Sequence, residues 1–381
     1  MESLHLAPQG PRKPPRQSVM SFRDLLQGVL IVLTILATTS CQTSSKKGET
    51  WKEAQAGQPK TSPLHTDPEL WRKAVTQAGQ NEAAVFAPGE RKIYFTSRDR
   101  LSHKQRQLYV MDIDTRNERR LTFQDGDVLE IAATPDEGSV FYTSTTDEIK
   151  ERPALLYPNA QGSAWPATEV YRIRPDDELH ERWTESAGFD GFPRIAQEPG
   201  RGLAITISRQ AESRLILMRS SLKSPGFELV LDRPGTYLHS FTSLDRRAWR
   251  AWVEENNKSR ASKIVIARRG GKAQDVVTNF FEIRDLHLWA AKEERGLSSA
   301  KTEPETHLLF TAKMKLDGPR QAFWLDTTKN CASAMDLGPG EITSLDISSD
   351  QLQVLWTLSQ GSNAQVFLDT LNRPTGICQP L

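Results

Sequence analysis

The stretch Asn81–Thr122, NEAAVFAPGERKIYFTSRDRLSHKQRQLYVMDIDTRNERRLT, reads as one complete four-stranded antiparallel sheet. Apolar residues alternate over Ala84–Ala87 and again over Ile93–Ser97, and Pro88-Gly89 sets a tight turn between them, so the two runs form a hairpin. A third run, Leu108–Ile113, is apolar on both faces, as a strand sandwiched between neighbouring sheets must be. A short fourth run, Arg119–Thr122, closes the unit.

The hairpin's second strand recurs downstream as SVFYTS (139–144), LAITIS (203–208), RAWVEE (250–255), HLLFTA (307–312) and QVLWTL (353–358), six copies with KIYFTS (92–97). The third strand recurs as QLYVMDID, EVYRIRPD, RLILMRSS, KIVIARRG, AFWLDTT and QVFLDTL. One such sheet cannot bury both of its faces, whereas radial stacking buries them all, and about 50 residues per unit suits a propeller blade. The first copy resembles the TolB-like β-propeller repeat, a "SPDGk-IaFtS" hairpin followed by "iYvmdldtg..rrLT", read here as FAPGERKIYFTS and LYVMDIDTRNERRLT. It departs from that pattern at Ala87, Gly89 and Glu90 in the turn. The expected fold is all-β, a six-bladed β-propeller of four-stranded antiparallel blades over residues 81–381.

Residues 25–37, LLQGVLIVLTILA, are the only long apolar run, too short for the roughly 20 residues of a membrane-spanning helix. With Arg23 before it and Thr38-Thr39-Ser40-Cys41 after it, the run reads as the core of a secretory signal over 1–40, starting at Met1 or at Met20, with an uncleaved anchor helix as the alternative. TTSC resembles a bacterial lipoprotein box with Thr38 in place of the usual Leu. The resemblance implies lipidation of Cys41 and, because Gln42 follows, sorting to the outer membrane. Residues 41–80 are polar and Lys/Ser/Thr/Gln/Pro-rich, a flexible tether in which Pro68–Ala78 is expected to form a short helix. With Cys41 lipidated, Cys331 and Cys378 remain as a disulfide or as two thiols; spacing alone does not decide.

Without residues 1–40 the chain holds 45 basic and 46 acidic residues, a balance that excludes a non-specific nucleic-acid binder. There is no G-x-S-x-G elbow, no H-E-x-x-H, no phosphate loop and no EF-hand. Asp125-Gly126-Asp127 reads as a turn, the seven histidines as surface or turn residues, and no cofactor, metal or catalytic residue is expected. What remains is surface. Loops between second and third strands carry Arg98, Arg100, Lys104 and Arg106, and the connections between repeats carry Asp125, Asp127 and Asp190, an acidic mouth inside a basic rim or a pattern cancelled by the rim's own acids. Within the 147–167 insertion, Tyr157 and Trp165 either contact a partner or fold back on their sheet.

The functional expectation is a monomeric, non-enzymatic lipoprotein of the periplasmic face. The TolB-like resemblance implies envelope protein partners. An enzyme working on sugar or peptide through the central channel, and a structural component without a discrete ligand, are the alternatives.

Overall fold

A computed structural model describes residues 73–89, 91–135, 138–146, 165–176, 179–198, 202–223, 226–244, 249–268, 271–290, 306–372, 374 and 379–380. The expected signal, the expected lipidation site Cys41 and Tyr157 lie outside them. The described residues contain strands and turns but no helix. Accordingly, no helix among them is long and apolar enough to cross a membrane.

Six repeats follow in chain order. The first is β1 (Gln80–Phe86), β2 (Lys92–Arg98), β3 (Gln107–Asp112) and β4 (Glu118–Arg120), an antiparallel sheet in that order. The second, β5 (Val128–Ala133), β6 (Val140–Ser144), β7 (Glu169–Arg174) and β8 (Leu179–Arg182), repeats the pattern. The third is β9 (Asp190–Glu198), β10 (Gly202–Ala211), β11 (Arg214–Ser221) and β12 (Glu228–Leu231). It is followed by β13 (Thr236–Leu244), β14 (Trp249–Asn256) and β15 (Ala261–Arg268). The long β16 (Gln274–Ala290) then pairs with β15 through Phe281 and with β17 (Thr306–Lys313) from Phe281 onward. It is thus the outer strand of the fourth repeat and the first strand of the fifth, which continues as β18 (Arg320–Asp326) and β19 (Cys331–Ala334). The sixth is β20 (Glu341–Ile347), β21 (Gln353–Gln360) and β22 (Asn363–Thr370).

Packing follows from strands that are apolar on both faces. The five central residues of β2 and all of β6 are buried, so each sheet needs a neighbour on either side. Six clusters supply it, each shared by two successive repeats. Leu108 and Tyr94 meet Ile131 and Tyr142; Phe141 and Val170 meet Ile205 and Ile207; Leu217 meets Trp252. Farther on, Ile264 meets Phe310 and Trp324 meets Trp356. The last joins the end to the beginning, with Leu355 and Val366 against Phe95 and Tyr109.

Among the described residues the sixth repeat has three strands rather than the expected four. The terminal strand β23 (Gln379–Pro380) instead pairs with β19, Cys331 opposite Pro380. Cys331 is disulfide-bonded, and Cys378 lies outside the described residues. The free edge of β22 is taken by the chain's beginning: Val75 N donates to Val366 O at 2.7 Å, and Val366 N donates to Thr76 Oγ1 at 3.0 Å. Ala74 and Val75 are buried in the core, so residues 74–80, expected in the tether, belong to the folded part. No helix forms over 73–78, because this extended backbone is hydrogen-bonded across the seam.

Candidate functional site: a charged central cavity

One cavity of about 460 Å³ is lined by β1, β5, β9, β13, the second half of β16, and β20, the first strand of every repeat. All six strands carry a register shift: Asn81/Ala84, Val128/Ile131, Gly191/Arg194, His239/Thr242, Phe281/Arg284 with Arg284/His287, and Ile342/Ser344. A bulge inserts a residue and re-aims the side chains after it. Four residues at or beside these bulges have left-handed backbone, Phe192 (φ 50), Ser240 (φ 53), Glu282 (φ 47) and Asp285 (φ 49), each at a cost of about 1 kcal/mol or more for a non-glycine residue. The result is that charged side chains from otherwise apolar strands face the cavity.

Arg194 Nη2 of β9 and Asp285 Oδ1 of β16 form an ion pair at 2.9 Å between the third and fifth repeats, and Thr311 Oγ1 donates to the other Asp285 oxygen at 3.0 Å. Arg284 Nη1 donates to His239 Nε2 at 3.0 Å and to Glu255 Oε2 at 3.2 Å, with its guanidinium 5.0 Å from the centre of the Phe192 ring. A guanidinium has no acceptor, so Nε2 of His239 carries the lone pair and Nδ1–H donates to Ser240 Oγ at 3.0 Å. Burial, then the positive charge of Arg284, pushes His239 down to about 4, so the ring is neutral at pH 7. Burial raises the Glu255 carboxyl, but Arg284 and Arg260 outweigh it and hold the group below the ordinary range.

Two cavity carboxyls lie the other way. Burial raises both Glu130 and Asp346 above the usual carboxylate range. Glu130 accepts from Phe192 N at 3.4 Å, and Asp346 accepts from Phe86 N at 2.8 Å with His287 Nδ1 at 3.7 Å. His287 is oriented by donating from Nε2 to Leu345 O at 2.9 Å. The cavity therefore combines fixed arginines with carboxyls that hold their protons more tightly than carboxyls in water. Among the described residues no group of three or more His, Cys, Asp or Glu is arranged to hold a metal ion.

The residues singled out from sequence are scattered by the structure. Arg106 lines the cavity and pairs with Glu82 at 2.5 Å; Arg98 reaches the same carboxylate at 3.1 Å. Arg100 is tied to Glu118 and stacked over Tyr109 at 4.7 Å, so it braces its own sheet. Lys104 and Asp125 are exposed. Asp127 accepts from Arg106 N at 2.6 Å, pinning the turn, and a Cβ on Gly126 would come within 2.5 Å of Thr146 N. Asp190 is fully buried in a 2.6 Å pair with Arg209, so it is not part of an acidic mouth. Trp165 folds back onto Phe189, Phe192 and Tyr237, with centroids 4.8, 5.4 and 6.0 Å away. Nor are the histidines uniformly on the surface: His239 and His307 are fully buried and His287 lines the cavity. Sequence reading missed Glu130, Arg194, Asp285 and Asp346, whose one local signal is a charge inside a first strand, as in VLEIAA and SLDI.

No protein-family model matches the chain, and no curated protein sequence does. Similar solved structures include the tricorn protease, 14% identical with a TM-score of 0.50, covering 78% of this chain and 27% of that one. TolB from Acinetobacter baumannii is 15% identical with a TM-score of 0.43, covering 63% and 54%. An oligogalacturonate lyase from Vibrio parahaemolyticus is 9% identical with a TM-score of 0.46, covering 77% and 78%. The chain thus spans about half of that TolB. At these identities the likeness concerns the fold alone. It also corrects the expectation of a chain without enzymatic activity: a structure of similar fold is a protease, so fold and missing motifs do not exclude catalysis.

Proposed function

We propose that this protein is a six-bladed propeller of the cell envelope, anchored by lipid on Cys41 as a monomer, that binds a partner protein at its central cavity. One observation carries the reading: six bulged first strands line one cavity of about 460 Å³, and five of them aim charged side chains into it. Strain at four backbone positions is maintained there, and such strain collects at ligand sites. Ala133, part of the cavity wall, offers the test. Ala133→Trp in the full-length protein, purified from detergent-solubilised membranes, should lose its co-purifying envelope protein while still unfolding cooperatively; the same recovery from both proteins would sink the reading. Cys41→Ser should abolish lipid labelling and release the chain to the soluble fraction, and unchanged membrane association would count against the anchor.

A second reading is favoured by Glu130 and Asp346, carboxyls with raised pKa inside the same cavity, the property a general acid requires. It makes the propeller an enzyme on envelope sugar or peptide. Glu130→Gln and Asp346→Asn would then abolish turnover of such a substrate while leaving its binding intact; turnover that survives both substitutions would refute it.

A further inference from the structure

We infer that the end of the cavity where the first strands begin is a carboxylate-binding site built by Arg106, Arg320 and Thr343. The inference rests on the reading of the cavity as the partner site and names the group that the partner inserts. Strand register places the three at one end. Gln80 lies opposite Arg98 and Ser97 opposite Gln107, so Arg106 stands where β1 begins. Lys313 lies opposite both Phe281 and Arg320, which puts Arg320 at the same end of β16. Thr343 is on β20 between them: Ala84 N of β1 donates to Ser344 Oγ at 3.1 Å, and His287 of β16 donates to Leu345 O at 2.9 Å. All three residues line the one cavity.

Three features point to an anion. Arg106 Nε, Arg320 Nε and Thr343 Oγ1 are buried and have no hydrogen-bond partner, although a buried donor without an acceptor costs about 1–3 kcal/mol. Each arginine also shares its carboxylate with a second cation: Glu82 is held by Arg106 and Arg98, and Glu282 by Arg320 at 3.2 Å and Lys313 at 3.0 Å. Positive charge is therefore only partly compensated on the Arg106 side of Thr343, where Glu82 answers two arginines, while Arg320 also meets Glu341 at 3.9 Å. The guanidinium fork matches a carboxylate bidentately through Nε and one Nη, which a small rotation of either side chain presents to the cavity. Beside this end stand Leu101 (97% exposed) in the β2–β3 loop and Met314 (54% exposed) in the β17–β18 loop, apolar surface suited to a peptide rather than a bare inorganic anion.

Fluorescence anisotropy on the full-length protein tests this with three labelled forms of one peptide, Gly-Ser-Ala-Leu-Ala-Leu: free acid, amide, and amide with one internal Glu. Binding of the free acid alone identifies a chain terminus as the source, and binding of the Glu form alone a side chain; either supports the site. Arg106→Gln, Arg320→Gln and Thr343→Val should each weaken that binding by about tenfold, the loss of one charge-assisted hydrogen bond. Added salt should weaken it further. Thr343→Val keeps side-chain shape and removes a stranded hydroxyl, so its unfolding midpoint should not fall, and it decides the matter if an arginine variant is unstable. Equal affinity for all three peptides, no binding of any, or binding indifferent to the substitutions would overturn the carboxylate site. The proposed function would still stand if Ala133→Trp displaced the co-purifying protein.

Discussion

Asn81 is fully buried, and its Nδ2 lies 3.0 Å from Thr76 Oγ1, 3.3 Å from Ala78 O, 3.2 Å from Ala364 O and 2.9 Å from Gln365 Oε1. One amide thus bridges the beginning of the folded chain and β22 across the seam of the ring. Asn81→Ala leaves acceptors on both sides without this donor, and at about 1–3 kcal/mol per stranded buried group we expect a loss of about 2–4 kcal/mol. For a domain of this size that lowers the melting midpoint by roughly 3–6 °C. Thr76 accepts from Asn81 and from Val366 N and donates to Gln365 Oε1 at 2.7 Å, so Thr76→Val should cost about 1–3 kcal/mol alone. Combined with Asn81→Ala it should fall short of additivity by about 1 kcal/mol or more, since the two share partners. Removing residues 1–72 should leave the midpoint alone, whereas removing 1–79 should lower it. Calorimetry or urea unfolding monitored by tryptophan fluorescence reads all five proteins. An unchanged midpoint in Asn81→Ala, or equal midpoints in the two truncations, would refute the seam.

Stability should fall as pH drops from the ordinary histidine value of 6.5 toward about 4, because folded His239 releases its proton more readily than the unfolded chain does; His239→Gln should flatten that limb of a urea-midpoint profile. Glu130 acts in the opposite sense. Its folded carboxyl binds protons more tightly than the unfolded one, so it lowers stability as pH rises through the ordinary carboxylate range, and Glu130→Gln should be neutral to stabilising at pH 7 in the same assay. Trp165→Ala should cost about 2–4 kcal/mol by emptying the pocket formed with Phe189, Phe192 and Tyr237, detected as a lower midpoint; a midpoint equal to the parent would return Trp165 to the list of partner contacts.

Hydrophobic alternation was sufficient for the strands. Each second and third strand expected from KIYFTS and LYVMDID overlaps an observed one, to within one or two residues at its ends, from β2 and β3 to β21 and β22, because period-two burial is a local property of the chain. Those strands also dictated stacked sheets, since they are apolar on both faces. The cavity was not legible in the same way. Glu130, Arg194, Asp285 and Asp346 lie on four different strands, and their convergence depends on bulges at Val128/Ile131, Gly191/Arg194, Arg284/His287 and Ile342/Ser344 that shift side chains off the simple alternation. Closure was hidden as well, because Val75 and Val366 meet only once the sheets have come full circle. Sequence by itself determined which residues form strands and that their faces must be covered, both short-range consequences of burial. Tertiary structure decided which charges meet, which acids are spent on structural pairs such as Asp190 with Arg209, and where unpaired donors remain, because electrostatics and hydrogen bonding act through space rather than along the chain.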